Sequence, residues 1–391
     1  MSLNSTPASH RIHIGIFGRR NAGKSSVINA ITGQNLAIVS EQKGTTTDPV
    51  QKAMELLPLG PVVLIDTPGL DDVGALGSQR IKKAEQILAK TDIALLVIDG
   101  TIGMDNVEEN ILITIKDKKI PYLIVTNKSD LLDTKPHPTD ESIYISAHTK
   151  ENIDVLKEAL AKLGEHIKIS KPLVADLIQT GDFVVLVTPI DEGAPKGRLI
   201  LPQQQVIREI IDFGATALVT DVAQLQTTLN GLKQPPSLII TDSQVFQKVN
   251  ALAPANIRLT SFSILFARFK GSLTQLCEGA FAINRLKDGD YILISEGCTH
   301  HRQCQDIGTV KLPHWLKQYT KKHLHFHFTS GNDFPLDITA YAIVVHCGGC
   351  VLNEREMKNR LNIAKEQNIA MTNYGMAIAF MNGILEKSTN F

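Results

Sequence analysis

Gly18-Arg-Arg-Asn-Ala-Gly23-Lys24-Ser25 decides the fold of the first part of this chain. It follows an apolar run, Arg11–Phe17, that reads as a strand, and it leads into a helical stretch. Strand, glycine-bounded loop and helix start are the context of a phosphate-binding loop. Glycines let backbone N–H groups wrap the phosphates, Lys24 reaches the β- and γ-phosphates, and the Ser25 hydroxyl ligates Mg²⁺. Gly18, Asn21, Ala22, Gly23, Lys24, Ser25 and Ser26 are therefore candidate nucleotide contacts.

Further elements identify the base. Asp66-Thr-Pro-Gly69 ends the strand pattern Pro61–Ile65, placing a carboxylate near Mg²⁺ and a glycine N–H near the γ-phosphate. Asn127-Lys128-Ser129-Asp130 ends Tyr122–Val125, and the Asp130 carboxylate can accept hydrogen bonds from guanine N1 and N2. Adenine has no N2 amine and cannot supply that pair. Ser146-Ala147, after Ser142–Ile145, completes the base pocket. Gly44-Thr45-Thr46-Thr47 lies in a polar stretch where a switch threonine can cap Mg²⁺. Thr45 and Thr46 join the GTP/GDP contacts, with Ser25 and Thr46 as Mg²⁺ ligands. Lys24, Thr46, Asp66 and Gly69 are the candidate catalytic residues.

This order and spacing resemble the translation-factor-like GTPases, in particular the TrmE/Era-like branch of tRNA-modification and ribosome-assembly GTPases. Leu70 stands where Ras-like enzymes carry the glutamine that orients water, so slow intrinsic hydrolysis is expected. The resemblance implies a K⁺ ion at Asn21, whose charge would take the part of an arginine finger. The plainer reading of Asn21 is a residue that favours the loop's turn geometry.

The 391 residues predict two or three domains. The expected architecture is α/β throughout. Residues 1–168 read as a P-loop GTPase domain with a doubly wound, mostly parallel sheet, with Ile93–Ile98 as a further strand. Residues 173–260 form a smaller α/β domain, with strands at Phe183–Val187, Ala217–Thr220, Ser237–Ile240 and Ile257–Leu259. A small sheet with open edges suits self-association, which predicts a dimerisation domain. Residues 261–391 open with helical material and continue with strands at Tyr291–Ser295, His323–Phe328, Tyr341–Val345 and Ile369–Thr372. Helices are expected there at Trp315–Lys322, Arg355–Glu366 and Met376–Leu385.

Four of the five cysteines fall between residues 298 and 350, which argues for metal or redox chemistry rather than a disulfide framework. Cys298-Thr-His300 follows one expected strand, and His346-Cys347-Gly-Gly-Cys350 follows another. If those strands are parallel neighbours, all these side chains emerge at one carboxyl edge, where open α/β sheets place ligands. Residue types alone leave a closed Cys₃His zinc site and a [4Fe–4S] cluster about even. A redox pair is weaker, because Cys347 follows a strand rather than opening a helix. Cys277 and the alternating His323, His325 and His327 read as structural, and Cys304 reads as a bystander, with a spare ligand as the alternative.

The GTPase signature, small middle segment and terminal cysteine pattern together resemble the HydF family, the GTPase scaffolds of [FeFe]-hydrogenase maturation. The stretch from Asp191 through Lys196-Gly-Arg-Leu-Ile-Leu-Pro-Gln-Gln-Gln205 is similar to that family as well. The resemblance implies a [4Fe–4S] cluster on Cys298, Cys347 and Cys350, with His300 and His346 as neighbours or labile ligands. It implies a homodimer through the middle domain, two radical-SAM maturases as partners, and a di-iron organometallic precursor as cargo for apo-[FeFe]-hydrogenase. The alternative is a ribosome-assembly or RNA-modification GTPase with a structural zinc. Lys+Arg and Asp+Glu balance at 40 each, which recommends neither nucleic acid nor an anionic membrane as partner. The opening residues lack an apolar run, and no stretch reaches the roughly 18 apolar residues of a membrane span, so a cytoplasmic location is expected.

Overall fold

The computed structural model describes residues 6–33, 50–67, 83–135, 137–165, 167, 171–189, 199–298 and 306–390. Two compact units emerge, Met1–Ser170 and Lys171–Phe391.

The first unit is built on β1 (Ile12–Phe17), β2 (Val50–Leu56), β3 (Gly60–Asp66), β4 (Ile93–Asp99), β5 (Tyr122–Asn127) and β6 (Ser142–Tyr144), in the order β2-β3-β1-β4-β5-β6. Every neighbouring pair is parallel except β2 with β3. β1 is buried along its whole length because its two faces meet different cores. Ile12, Ile14 and Ile16 pack with Val27 and Leu95, whereas Phe17 packs with Ile65 and Leu96. Burial on both faces explains why these strands read as apolar runs rather than as alternating patterns. β2 was not among the expected strands. Its Gln51, Lys52 and Glu55 interrupt any apolar run, as suits an antiparallel edge.

The second unit holds two four-stranded parallel sheets. One contains β7 (Phe183–Val187), β8 (Thr216–Thr220), β9 (Leu238–Thr241) and β10 (Arg258–Ser261), ordered β10-β9-β7-β8. The other contains β11 (Tyr291–Glu296), β12 (His325–Ser330), β13 (Ile343–His346) and β14 (Ala370–Asn373), ordered β12-β11-β13-β14. The two sheets share a core: Val185 and Ile239 from the first join Leu293 and Val344 from the second, with Ile264 and Met376 from helices. Side chains stitch the layers together. Thr372 Oγ1 donates to Leu276 O at 2.8 Å, and Thr260 Oγ1 donates to Ser388 O at 2.9 Å. The helix expected over Met376–Leu385 is broken in two, Tyr374–Met381 and Leu385–Thr389, with Gly383 at φ 69° between them.

The helix Leu273–Phe281 approaches β14 so closely that a Cβ on Gly279 would overlap the Met371 carbonyl. Gly279→Ala should therefore destabilise the chain by about 1–3 kcal/mol. Gly231→Ala, where no described atom lies within 4 Å of the new methyl, should stay within about 0.5 kcal/mol of the parent. Urea melts of the two variants check the contrast.

Candidate functional site

β1, β3, β5 and β6 all deliver their carboxyl ends to the loops that carry the nucleotide signature. Gly18, at φ 142°, lies against the Val97 carbonyl, where no side chain fits. Asn21 and Gly23 also take positive φ, at 64° and 89°, so the loop doubles back before the helix Lys24–Thr32 begins. Beside it is a cleft of about 980 Å³ lined by Asn21, Lys24, Ser25, Ser26, Asp66 and Asp130, among others.

Lys24 Nζ donates to the carbonyls of Gly18 and Arg19 at 2.9 and 2.8 Å. Ser25 Oγ donates to Asp66 Oδ2 at 2.9 Å, while Asp66 Oδ1 is buried without a hydrogen-bond partner among the described residues. Burial raises the Asp66 carboxyl above its ordinary value, against the opposing effects of Ser25 and Lys24. A hydroxyl beside a half-satisfied, desolvated carboxylate is a donor set that fits Mg²⁺.

On the base side, Asn127 acts as a brace. Its Nδ2 donates to Ala22 O and its Oδ1 accepts from Ala147 N–H, both at 3.0 Å, tying the phosphate loop to the base loop. The Lys128 ammonium pairs with Asp99. A hydrogen bond from Ser146 holds the Asp130 carboxyl below the usual carboxylate range. Thr45, Thr46, Gly69 and Leu70 lie outside the described residues, as do His300, Cys304 and Asp191–Gly197.

Arg19 was not singled out by the sequence reading. Its Nε meets Glu108 at 2.6 Å, Nη1 meets Asp105 at 2.8 Å and Nη2 donates to Gly103 O at 2.6 Å. Asp105 and Glu108 form the capping box of the helix Asn106–Asp117, so Arg19 anchors the phosphate loop to that helix start. The Asp-x-x-Glu spacing was the available signal.

The cysteines also collect at a carboxyl edge. β11 and β13 are parallel neighbours in the register Ser295↔His346, and Cys347 N–H continues the ladder by donating to Ser295 O at 2.9 Å. Cys347 Sγ accepts from the N–H groups of Gly297 and Gly349, at 3.1 and 3.4 Å. Burial, with neighbouring Cys350 and Cys298, pushes the Cys347 thiol up to about 12. Burial also raises Cys350, against the pull of Lys270. Lys270 is buried beneath the loop and donates to Gly349 O, Cys350 O and Leu352 O at 3.2, 2.8 and 2.7 Å. Burial lowers its ammonium to about 8.

Among the described residues, no three His, Cys, Asp or Glu side chains are gathered as a ligand set for a metal ion. What fits an anionic iron–sulfur group is the chemistry of the donors: three neighbouring thiols, two amide N–H groups on one sulfur, and a buried ammonium. His346 is engaged elsewhere. Its Nδ1–H donates to Cys347 O at 2.8 Å and its Nε2 accepts from Arg360 at 2.9 Å. Burial and the Arg360 charge press its pKa down to about 3. With both nitrogens committed, His346 as placed has no lone pair to offer a metal. Cys277 lies in the helix Leu273–Phe281, half-buried.

Two models of one family match the second unit: the hydrogen maturase F dimerization domain over residues 173–271 and the hydrogen maturase F tetramerization domain over 274–391. Together they span more than half of the chain. A model described as a 50S ribosome-binding GTPase matches residues 13–128. The tRNA modification GTPase MnmE of Thiobacillus denitrificans is 36% identical over 149 residues, 37% of this chain and 32% of the relative. GTPase Der of Wolinella succinogenes is 30% identical over 175 residues, 41% of this chain and 37% of the relative. The chain thus spans about a third of the length of these curated relatives. The crystal structure of a variant of Aquifex aeolicus Era bound to GDP.AlF4- aligns at 22% identity and TM-score 0.34, covering 54% of this chain and 93% of that one.

Arg19→Ala should leave the fully buried Glu108 carboxylate without its cation, at a cost of about 3 kcal/mol. The thermal transition of the GTPase unit should fall accordingly, and an unchanged melt would show that the anchor is idle.

Proposed function

Since this chain belongs to the hydrogen maturase F family, we propose that it is a GTP hydrolase and iron–sulfur scaffold that receives a di-iron precursor and delivers it to apo-[FeFe]-hydrogenase. What supports the reading is that Cys298 and the Cys347–Cys350 loop follow the carboxyl ends of two parallel neighbouring strands, in a chain that also carries a phosphate-binding loop. The alternative, an RNA-directed GTPase with a structural zinc, draws only on the likeness of the GTPase unit.

In the GTPase unit, Lys24 exchanges its two loop carbonyls for phosphate oxygens, which the cleft beside it leaves room for. Ser25 and Thr46 would hold Mg²⁺ with the Asp66 carboxylate beside it, and Gly69 would offer its N–H to the γ-phosphate. Mg²⁺, when bound, supplies positive charge to the phosphate oxygens. Asp130 reads the guanine edge through its carboxylate, an acceptor at neutral pH like any ordinary aspartate. Asn21, already at positive φ, lines the cleft where K⁺ would add charge. In the second unit, Cys298, Cys347 and Cys350 would hold a [4Fe–4S] cluster, which when bound would supply an exchangeable iron as anchoring point for cargo. Self-association through the middle and terminal segments is supported by the two matching family models.

Apo-hydrogenase should gain hydrogen evolution when mixed with this protein after its exposure to both radical-SAM maturases. The Cys347→Ser protein, treated alike, should not activate it; equal activation by both removes Cys347 from the centre, and no activation by the wild type sinks the carrier role. Asp130→Asn should weaken GTP binding at least about tenfold. Xanthosine triphosphate, with an acceptor at C2, should bind the variant better than GTP does. GTP turnover should be faster in KCl than in NaCl at equal ionic strength, and equal rates remove the K⁺ assignment.

A further inference from the structure

Lys270 closes the helix Phe262–Lys270 and is 1% exposed. Its ammonium is spent on one short loop: it donates to Gly349 O, Cys350 O and Leu352 O, and it lies 5.2 Å from the centre of the Phe266 ring. Three N–H donors on one nitrogen exist only in the ammonium form, so the three carbonyl bonds call for the charged lysine. A buried cation costs several kcal/mol to desolvate unless an anion accompanies it. The groups whose charges act on it are Cys350, Cys347 and Glu354. Two of these three are the cysteines of the Cys-x-x-Cys loop, and they become anions when they ligate a metal, because the thiolate is the ligand. The cation is thus built in where negative charge arrives with the metal.

We propose that Lys270 is a positioning and charge-balancing residue of the cysteine centre: it holds the 347–352 loop in ligating shape and offsets the negative charge of the thiolate-bound cluster. This rests on the reading that Cys298, Cys347 and Cys350 hold an iron–sulfur cluster. A cation beside such a cluster favours its more negative, reduced form and so raises the reduction potential. The backbone N–H groups of Gly297 and Gly349 on Cys347 Sγ act in the same sense. The N–H groups remain in any Lys270 variant that keeps the loop, so the contribution of the ammonium can be isolated.

The test uses the full-length chain reconstituted anaerobically with iron and sulfide, as wild type, Lys270→Gln, Lys270→Met and Lys270→Arg. Gln keeps two of the three N–H donors but removes the charge; Arg keeps the charge. Thermal melts of the unloaded proteins report the fold, an EPR-monitored titration gives the potential, and a chelator challenge gives iron retention. The expected result is a lower potential in the Gln and Met variants, with iron lost to the chelator about tenfold faster or more. Lys270→Arg should keep the wild-type potential. A wild type that takes up no iron rejects the cluster reading and this proposal with it. A loaded wild type whose folded Gln and Met variants share its potential and iron retention rejects this proposal alone. Two further outcomes also overturn it: unfolding of both neutral variants before loading, which would make the lysine a structural tie only, or a potential in Lys270→Arg as low as in Lys270→Gln.

Discussion

Cys347 N–H donating to Ser295 O extends the parallel ladder between β11 and β13 by one residue beyond the strand proper. That bond sets where Cys347 stands relative to the turn Gly297-Cys298, and the rest of the cysteine centre follows from it. Parallel pairing brings both carboxyl ends to one edge, and the register fixes how far each loop reaches past it. An antiparallel pair would send Cys298 and Cys347 to opposite edges. The nucleotide cleft obeys the same constraint, with β1 and β3 parallel in the register Ile16↔Asp66, so that the loop after β1 and the carboxylate ending β3 meet.

Both sites have a lysine tied to the carbonyls of the loop it serves, but the two lysines differ in access. Lys24 bonds to Gly18 O and Arg19 O and borders an open cleft, so its carbonyl partners can be traded for a ligand. Lys270 bonds to three carbonyls of the cysteine loop and is sealed beneath it. One arrangement suits a ligand that comes and goes, and the other suits a resident anionic group. Low local dielectric strengthens the second and makes an unbalanced charge there expensive.

Much of this was legible from residue order. Strands buried on both faces announce themselves as apolar runs, and the GTPase motifs fall at strand ends, so the parallel sheets and the edge position of the cysteines could be read directly. β2 escaped because an edge strand carries polar residues. Arg19 and Lys270 escaped because a cation's role depends on partners distant in sequence: Glu108 for the first, Gly349 to Leu352 for the second. His346 shows the opposite limit. Its position beside Cys347 suggested a ligand, but its ring orientation is set by Arg360, fourteen residues on. Spacing brings a residue near a site without deciding which way it faces. No helix among the described residues is long and apolar enough to cross a membrane.

The proposed centre is an iron–sulfur cluster held by the three thiols with Lys270 beneath them, rather than a single closed metal ion. Metal analysis of the full-length protein after anaerobic reconstitution in the presence of both iron with sulfide and zinc addresses it most directly. A brown protein with about four irons per chain and only trace zinc is expected. A colourless protein with stoichiometric zinc and no iron would contradict it.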